Sequence, residues 1–197
     1  MKLHLGAFDC SVDGWCNTDI TQHLWVGRIP GLAWLLWKFS LIPSERYEQH
    51  NKGVFRQLRY LDLTRPLPFA DGSVEAIFSS HVFEHLFRGE VASLIAECFR
   101  VLKPGGIIRV VVPDLERVVA LFDSENPRSF IREIYEISVR AQVKNAHHCG
   151  FTGPLLSELF KKSGYSEVAV LDFGVGQCPD IVHLDNRPSS LFFEAIK

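Results

Sequence analysis

The chain has no excess of either charge: its 197 residues carry 21 Lys and Arg against 23 Asp and Glu, a formal net charge of −2. Proteins that track a nucleic-acid backbone ordinarily present a basic face or stripe, so no nucleic-acid partner is expected. The five cysteines, Cys10, Cys16, Cys98, Cys149 and Cys178, are odd in number and show no CxxC spacing. Disulfide and zinc frameworks are therefore not expected, and the pattern points to reduced thiols in a cytoplasmic setting. The first residues lack a basic segment, an apolar run and a small-residue cleavage site, so no signal peptide is expected and the mature chain is expected to start at Met1. Nor is there an unbroken apolar run: the one candidate, Leu24 to Ile42, is interrupted by Arg28, Pro30, Gly31 and Lys38, whereas a span needs roughly 20 mostly apolar residues. Repeats, low-complexity tracts and long linkers are missing as well. A chain of this size that is 47% hydrophobic can bury a full core, which predicts a single domain over 1–197.

What is present is an alternation of strand and helix patterns. Lys2 to Phe8 and Trp15 to Ile20 read as short strands with only a few residues between them, whereas a parallel crossover ordinarily takes a dozen or more. If they pair in parallel, the connecting helix has shrunk to a loop. Leu24 to Phe39 reads as a broken helix, Ser44 to Lys52 as a polar loop, Gln57 to Leu61 and Val74 to Ser79 as strands. Arg88 to Leu102 is the clearest helix, because Val91, Leu94, Ile95, Cys98, Phe99 and Leu102 recur at three- and four-residue steps before Pro104, Gly105 and Gly106 end it. Ile107 to Val112 is nearly all β-branched, as in a central parallel strand covered on both faces. Asn126 with Pro127 predicts a helix turning Phe130, Ile131, Ile134 and Tyr135 inward. Thr152 is the expected N-cap of another, with Leu155, Leu156, Leu159 and Phe160 on one stripe and Gly164 beyond its end. Val168 to Phe173 and Leu191 to Ile196 complete the strands.

Four motifs stand in fixed order along this frame: KLHLGAFD from Lys2, GWCNTDI from Gly14, LPFADGSVEAIFSSHVFEHL from Leu67 and ECFRVLKPGGIIRVVVPD from Glu97. They describe an open α/β sheet whose strand ends converge on one crevice, where such sheets bind nucleotide-like ligands. Their joint pattern resembles the class I, S-adenosylmethionine-dependent methyltransferases, in particular the small type 11 branch with a short first loop, often found beside glycan and cell-envelope genes. The resemblance implies a Rossmann-like, doubly wound, mostly parallel seven-stranded sheet with helices on both faces. It also implies methyl transfer from S-adenosyl-L-methionine to a small-molecule, glycan or cell-envelope acceptor.

The resemblance distributes roles over residues. Gly6, Ala7 and Phe8 stand where the family carries Gly-x-Gly against the cofactor, so an aromatic occupies the second glycine position. Asp19, ending the second strand, is the expected partner of the ribose hydroxyls; a local cap for the helix after it is the other reading. Asp62 and Leu63 match the adenine position, with turn chemistry before Pro66 as the alternative for Asp62. Ser80 and His81 end the fourth strand, beneath the methionine portion and facing the acceptor. His81 and His147 are candidate acceptor-side bases, each alternatively a histidine with no chemistry. Glu84 and His85 read as a helix opening that braces the loop. The run His147, His148, Cys149 is not expected to hold a metal, since adjacent ligands do not easily surround one ion.

The aromatic-rich insertion at about 23–53, with Trp25, Trp34 and Trp37, reads either as a packed lid or as an interfacial face for a membrane surface or a sugar. Two further functional readings stay open: a cofactor-degenerate binding or regulatory relative, motivated by Phe8, and a nucleotide or sugar oxidoreductase, disfavoured because no GxGxxG follows the first strand.

Overall fold

The computed structural model describes residues 1–128, 130–131 and 146–197. Seven strands form one sheet: β1 Lys2–Leu5, β2 Trp15–Asp19, β3 Arg59–Tyr60, β4 Val74–Ser80, β5 Leu102–Val112, β6 Glu167–Leu171 and β7 Leu191–Ile196. Their order is β3-β2-β1-β4-β5-β7-β6, with β7 antiparallel to both of its neighbours and the other pairings parallel. The chain reverses direction across the sheet at β1 and β4, and the loops leaving these strands define the crevice.

Both faces are covered, and a short helix α5 (Leu115–Ala120) follows β5. Leu3, Leu5, Ile77, Ile108, Val110 and Phe193 join the buried stripe of α4 (Arg88–Val101) and the apolar side of α6 (Gly153–Lys162) in the larger core cluster. Ala76, Phe78, Ile107, Val111 and Phe192 form a second cluster with Cys178 and with Leu184 of the short helix α7 (Ile181–Leu184). Each fully buried Leu, Ile or Phe contributes on the order of 2 kcal/mol, so these clusters carry most of the favourable burial. In α4 the expected stripe is buried at Val91, Leu94, Ile95 and Cys98, and the Glu90 carboxylate accepts the Phe87 backbone N–H at 2.8 Å to secure its start. Thr152 caps α6 through its hydroxyl, which accepts from Leu155 N at 3.3 Å, although Leu155 itself lies outside the buried stripe at 38% exposure. The helix expected after Asn126 and Pro127 falls largely outside the described residues, Ile134 and Tyr135 among them.

Several element boundaries differ from the sequence reading. Strand β1 stops at Leu5 rather than Phe8 because Gly6 (φ +68°) and Phe8 (φ +42°) leave the extended conformation. The link to β2 holds no helix, as its length requires. Ser44–Asn51, expected as a loop, is helix α3, following α1 (His23–Val26) and α2 (Leu32–Lys38). Strand β5 begins at Leu102, before the expected stop at Pro104 to Gly106; the register slips between the Val74–Leu102 and Ala76–Ile107 pairs and absorbs the intervening residues. Within that strand, Arg109 is fully buried. Its guanidinium donates Nε–H to Asp185 Oδ1 at 2.9 Å and Nη1–H to Glu194 Oε1 at 2.8 Å, while Glu194 also accepts from Gln177 N and Cys178 N. This network pins the segment before β7 to the sheet.

Candidate active site

The turn after β1 is built by contact. A Cβ on Gly6 would stand 2.2 Å from Val82 Cγ2, so the close approach of the first turn to the loop after β4 requires glycine there. Ala7 is buried, and its N–H donates to Thr18 O at 2.9 Å, tying the turn to β2. Phe8 keeps the left-handed backbone that the missing glycine would adopt without cost, at a strain of about 1–2 kcal/mol for an L-residue. Its ring turns toward the insertion, 6.0 Å from Phe55, 6.4 Å from His23 and beneath the Arg46 guanidinium at 4.6 Å. Arg46 also pairs with Asp9 at 3.2 Å, and Gln49 donates to the same carboxylate at 3.0 Å. Helix α3 is therefore clasped to the residues just beyond the glycine turn.

Asp19 ends β2 beside this turn. Its Oδ2 accepts the Phe8 N–H at 3.1 Å and its Oδ1 the Thr21 N–H at 2.6 Å, so the carboxylate braces two loops and does not cap α1, whose N-cap residue is Gln22 and has no side-chain cap bond. Burial pushes the Asp19 carboxyl above its ordinary value, partly offset by backbone donors that favour the ionised form. Each of the two carboxylate oxygens keeps lone-pair capacity for a ligand hydroxyl. Asp62 follows β3, whose Tyr60 pairs with Asp19, so both carboxylates stand at the same edge of neighbouring strands. Asp62 Oδ1 accepts from Thr64 N at 3.0 Å and Thr64 Oγ1 at 2.7 Å, a local turn that holds its carboxyl below the usual range. Leu63 packs partly against the main core.

On the other side of the Gly6 turn, β4 ends at Ser80, which is half-buried. His81 follows with φ +53°, its N–H donating to Val111 O at 2.8 Å. Its ring has Nε2 3.0 Å from Ser190 Oγ and Nδ1 3.0 Å from Glu84 Oε1, the latter without the alignment of a hydrogen bond. The Glu84 backbone carbonyl accepts from His148 N at 2.7 Å and Cys149 N at 3.1 Å, which brings His147 to the same place from 63 positions further along the chain. Sequence reading separated these groups into a helix opening and a distant loop. The spacing of His147, His148 and Cys149 gives no sign that His147 meets Glu84 and His85, and Ser190 carried no signal at all.

A second space lies between the β1–β2 link, the insertion and α7, a groove of about 540 Å³ lined by Asp9, Asp13, Lys52, Gln57, Asp180 and His183 among others. None of the expected cofactor residues lines it.

The insertion leaves its aromatic surface uncovered. No residue of α2 is fully buried, and Trp25, Trp34 and Trp37 are 52%, 46% and 39% exposed. The indole of Trp37 stacks on Tyr47 and donates to Ser44 Oγ, joining α2 to α3, while Arg28 and Lys38 lie over Trp25 and Trp34. Among the described residues no helix is long and apolar enough to cross a membrane.

The strand order and the single antiparallel strand are those of the class I methyltransferase fold. Solved structures share this fold. An S-adenosylmethionine-dependent methyltransferase from Archaeoglobus fulgidus superposes with a TM-score of 0.61 at 13% identity, covering 100% of this chain and 85% of that one. One from Thermotoga maritima, described as a possible histamine N-methyltransferase, gives 0.57 at 16% identity over 100% and 81%. The 1,6-didemethyltoxoflavin-N1-methyltransferase of Burkholderia thailandensis, solved with S-adenosylhomocysteine, gives 0.51 at 13% identity over 100% and 70%.

In sequence, residues 40–110 match the family described as Methyltransferase domain. A 48-residue segment is 44% identical to a protein of Mycolicibacterium smegmatis described as a probable S-adenosylmethionine-dependent methyltransferase, covering 24% of this chain. The chain spans under a fifth, 18%, of that relative's length. By fold and by matched segment the resemblance to the S-adenosylmethionine-dependent methyltransferases of the type 11 branch stands.

Proposed function

We propose that the protein transfers the methyl group of S-adenosyl-L-methionine to a small-molecule or glycan acceptor. The observation that carries this reading is the braced Asp19 carboxylate, held by the Phe8 and Thr21 backbone N–H groups beside the glycine turn of β1. A ribose diol needs such a fixed acceptor at that strand end. Asp62 and Leu63 are assigned to the adenine side, Gly6, Ala7 and Ser80 to the backbone beneath the methionine portion. The Phe8 ring, engaged by Arg46 and Phe55, is directed to the insertion and supports an open rather than a plugged cradle.

When bound, the cofactor supplies an already activated methyl sulfonium, so the chain's own work is alignment and exclusion of water more than acid–base chemistry. His81 is the acceptor-side group of choice: Glu84 behind Nδ1 and Ser190 at Nε2 fix its ring, and it can orient an acceptor hydroxyl or amine and take its proton. Calorimetric titration with S-adenosylmethionine and S-adenosylhomocysteine tests the reading. Binding that weakens at least tenfold in Asp19→Ala is expected; absence of heat at millimolar ligand refutes it and favours a cofactor-degenerate relative.

The uncovered indoles favour an acceptor presented at a membrane surface, as for a lipid-linked glycan. Indole rings beside Arg28 and Lys38 suit an anionic interface. Co-sedimentation with vesicles containing phosphatidylglycerol is expected to fall at least fivefold in the Trp25→Ser, Trp34→Ser double variant. Equal sedimentation of both proteins, or none of either, excludes this docking mode.

A further inference from the structure

We propose that Glu84, His85 and His147 bind a divalent transition-metal ion. One ligand atom from each lies within 4.8 Å of the others, in a cluster formed by the short 3₁₀ turn Phe83–His85 and the segment that follows residue 145. In a tetrahedral shell with bond lengths of about 2.1 Å, ligand atoms stand about 3.4 Å apart, so side-chain rotations that move them by about an ångström close the set.

Three features of the cluster point to a cation. The first is the Glu84 carboxylate, 1% exposed, whose oxygens accept no aligned hydrogen bond and whose one ion-pair partner among the described residues is the His81 ring, with Nδ1 3.0 Å from Oε1. A buried carboxylate with so little support is expensive, and a metal ion is a partner that offsets it. The second is the tautomer of His85. Its Nδ1 lies 3.3 Å from Ala146 O, and only a protonated nitrogen can approach a carbonyl in this way, so Nε2 carries the lone pair. Metal-bound histidines commonly fix their second nitrogen on a backbone carbonyl in this manner. The third is rigidity: the hydrogen bonds from His148 N and Cys149 N to the Glu84 carbonyl fasten the His147 segment to the turn, and the His85 and His147 rings meet edge-on at 5.1 Å.

Two imidazoles and one carboxylate are the donors of zinc, cobalt, iron or manganese rather than of magnesium or calcium, which prefer all-oxygen shells. Three protein ligands leave positions open to an oxygen ligand. Ligation takes the lone pair that a base would use, so His147 serves as a ligand and His81 remains the acceptor-side group. The site shares Glu84 with the His81 contact, and its test reads metal uptake rather than methyl transfer.

The test uses the full chain, stripped with a chelator and titrated with Co²⁺ and Zn²⁺ by calorimetry, with the Co²⁺ ligand-field spectrum as a second readout. Expected are about one equivalent of tight binding, a Co²⁺ spectrum altered by nitrogen ligation, and at least a hundredfold weaker binding in both Glu84→Gln and His147→Ala. His147 is only partly buried, so His147→Ala tests the site even if the buried Glu84→Gln variant fails to fold. No uptake by the stripped protein, preference for Mg²⁺ over Zn²⁺, or unchanged affinity in His147→Ala overturns the proposal. Titrating S-adenosylmethionine in parallel separates this outcome from that of the cofactor reading.

Discussion

Replacing Gly6 with alanine probes the tightest packing in the crevice. The new methyl would stand 2.2 Å from Val82 Cγ2, more than an ångström inside ordinary contact, and the backbone there sits at φ +68°. The left-handed conformation costs an L-residue roughly 1–2 kcal/mol, and forcing a methyl into a packed contact costs about 1–3 kcal/mol. Gly6→Ala is therefore expected to lose about 3 kcal/mol of stability. For a chain of this length that is a drop in Tm of roughly 6–12 °C.

The two contributions separate experimentally. Val82→Ala removes the clashing carbon but not the φ cost, so the double variant is expected to recover 1–3 kcal/mol relative to the sum of the singles, a coupling typical of residues in contact. Urea unfolding of the four proteins, followed by fluorescence of the four tryptophans, measures it. Additivity within about 0.5 kcal/mol, or a Gly6→Ala protein as stable as the parent, would refute the claim that Val82 presses on this turn.

Burial drives the pKa of His4 from about 6.5 down to about 4, so the ring is neutral in the fold and protonates only after unfolding across that window. Stability is full above pH 6.5 and is lost as pH falls toward 4, by about 3 kcal/mol from this residue alone; His4→Gln is expected to flatten the pH dependence of the urea midpoint, and an unchanged slope contradicts the assignment. Arg109→Leu leaves Asp185 and Glu194 as buried unpaired carboxylates and is expected to cost about 3–5 kcal/mol in chemical denaturation. A loss below about 1 kcal/mol would show that the network is dispensable.

Periodic burial is what made parts of this fold readable. The stripe of α4 and the hydroxyl of Thr152 are local, and the short β1–β2 link follows from counting residues. Helix α3 was not legible, because SERYEQHN has no apolar stripe; Arg46 and Gln49 hold it by reaching Asp9 and Phe8, which are distant in sequence, and His50 by packing on the nearby Phe55. Arg109 was hidden inside a β-branched run, and its partners come from the last strand and the loop before it. The placement of Asp19 and Asp62 at neighbouring strand ends was legible in the sequence. The meeting of Glu84, His85 and His147 was not, since chain spacing carries no trace of a backbone hydrogen bond between residues 84 and 148.

Arg46 grips the Asp9 carboxylate and the Phe8 ring at once, and it belongs to the same insertion that displays the indoles. Any load on that outer aromatic surface would reach, through Arg46 and Gln49, the strand tip where Asp19 accepts the Phe8 N–H. If the indoles dock and Asp19 holds a ligand as proposed, the two events would meet at this clasp, and loosening the arginine would weaken the link between them.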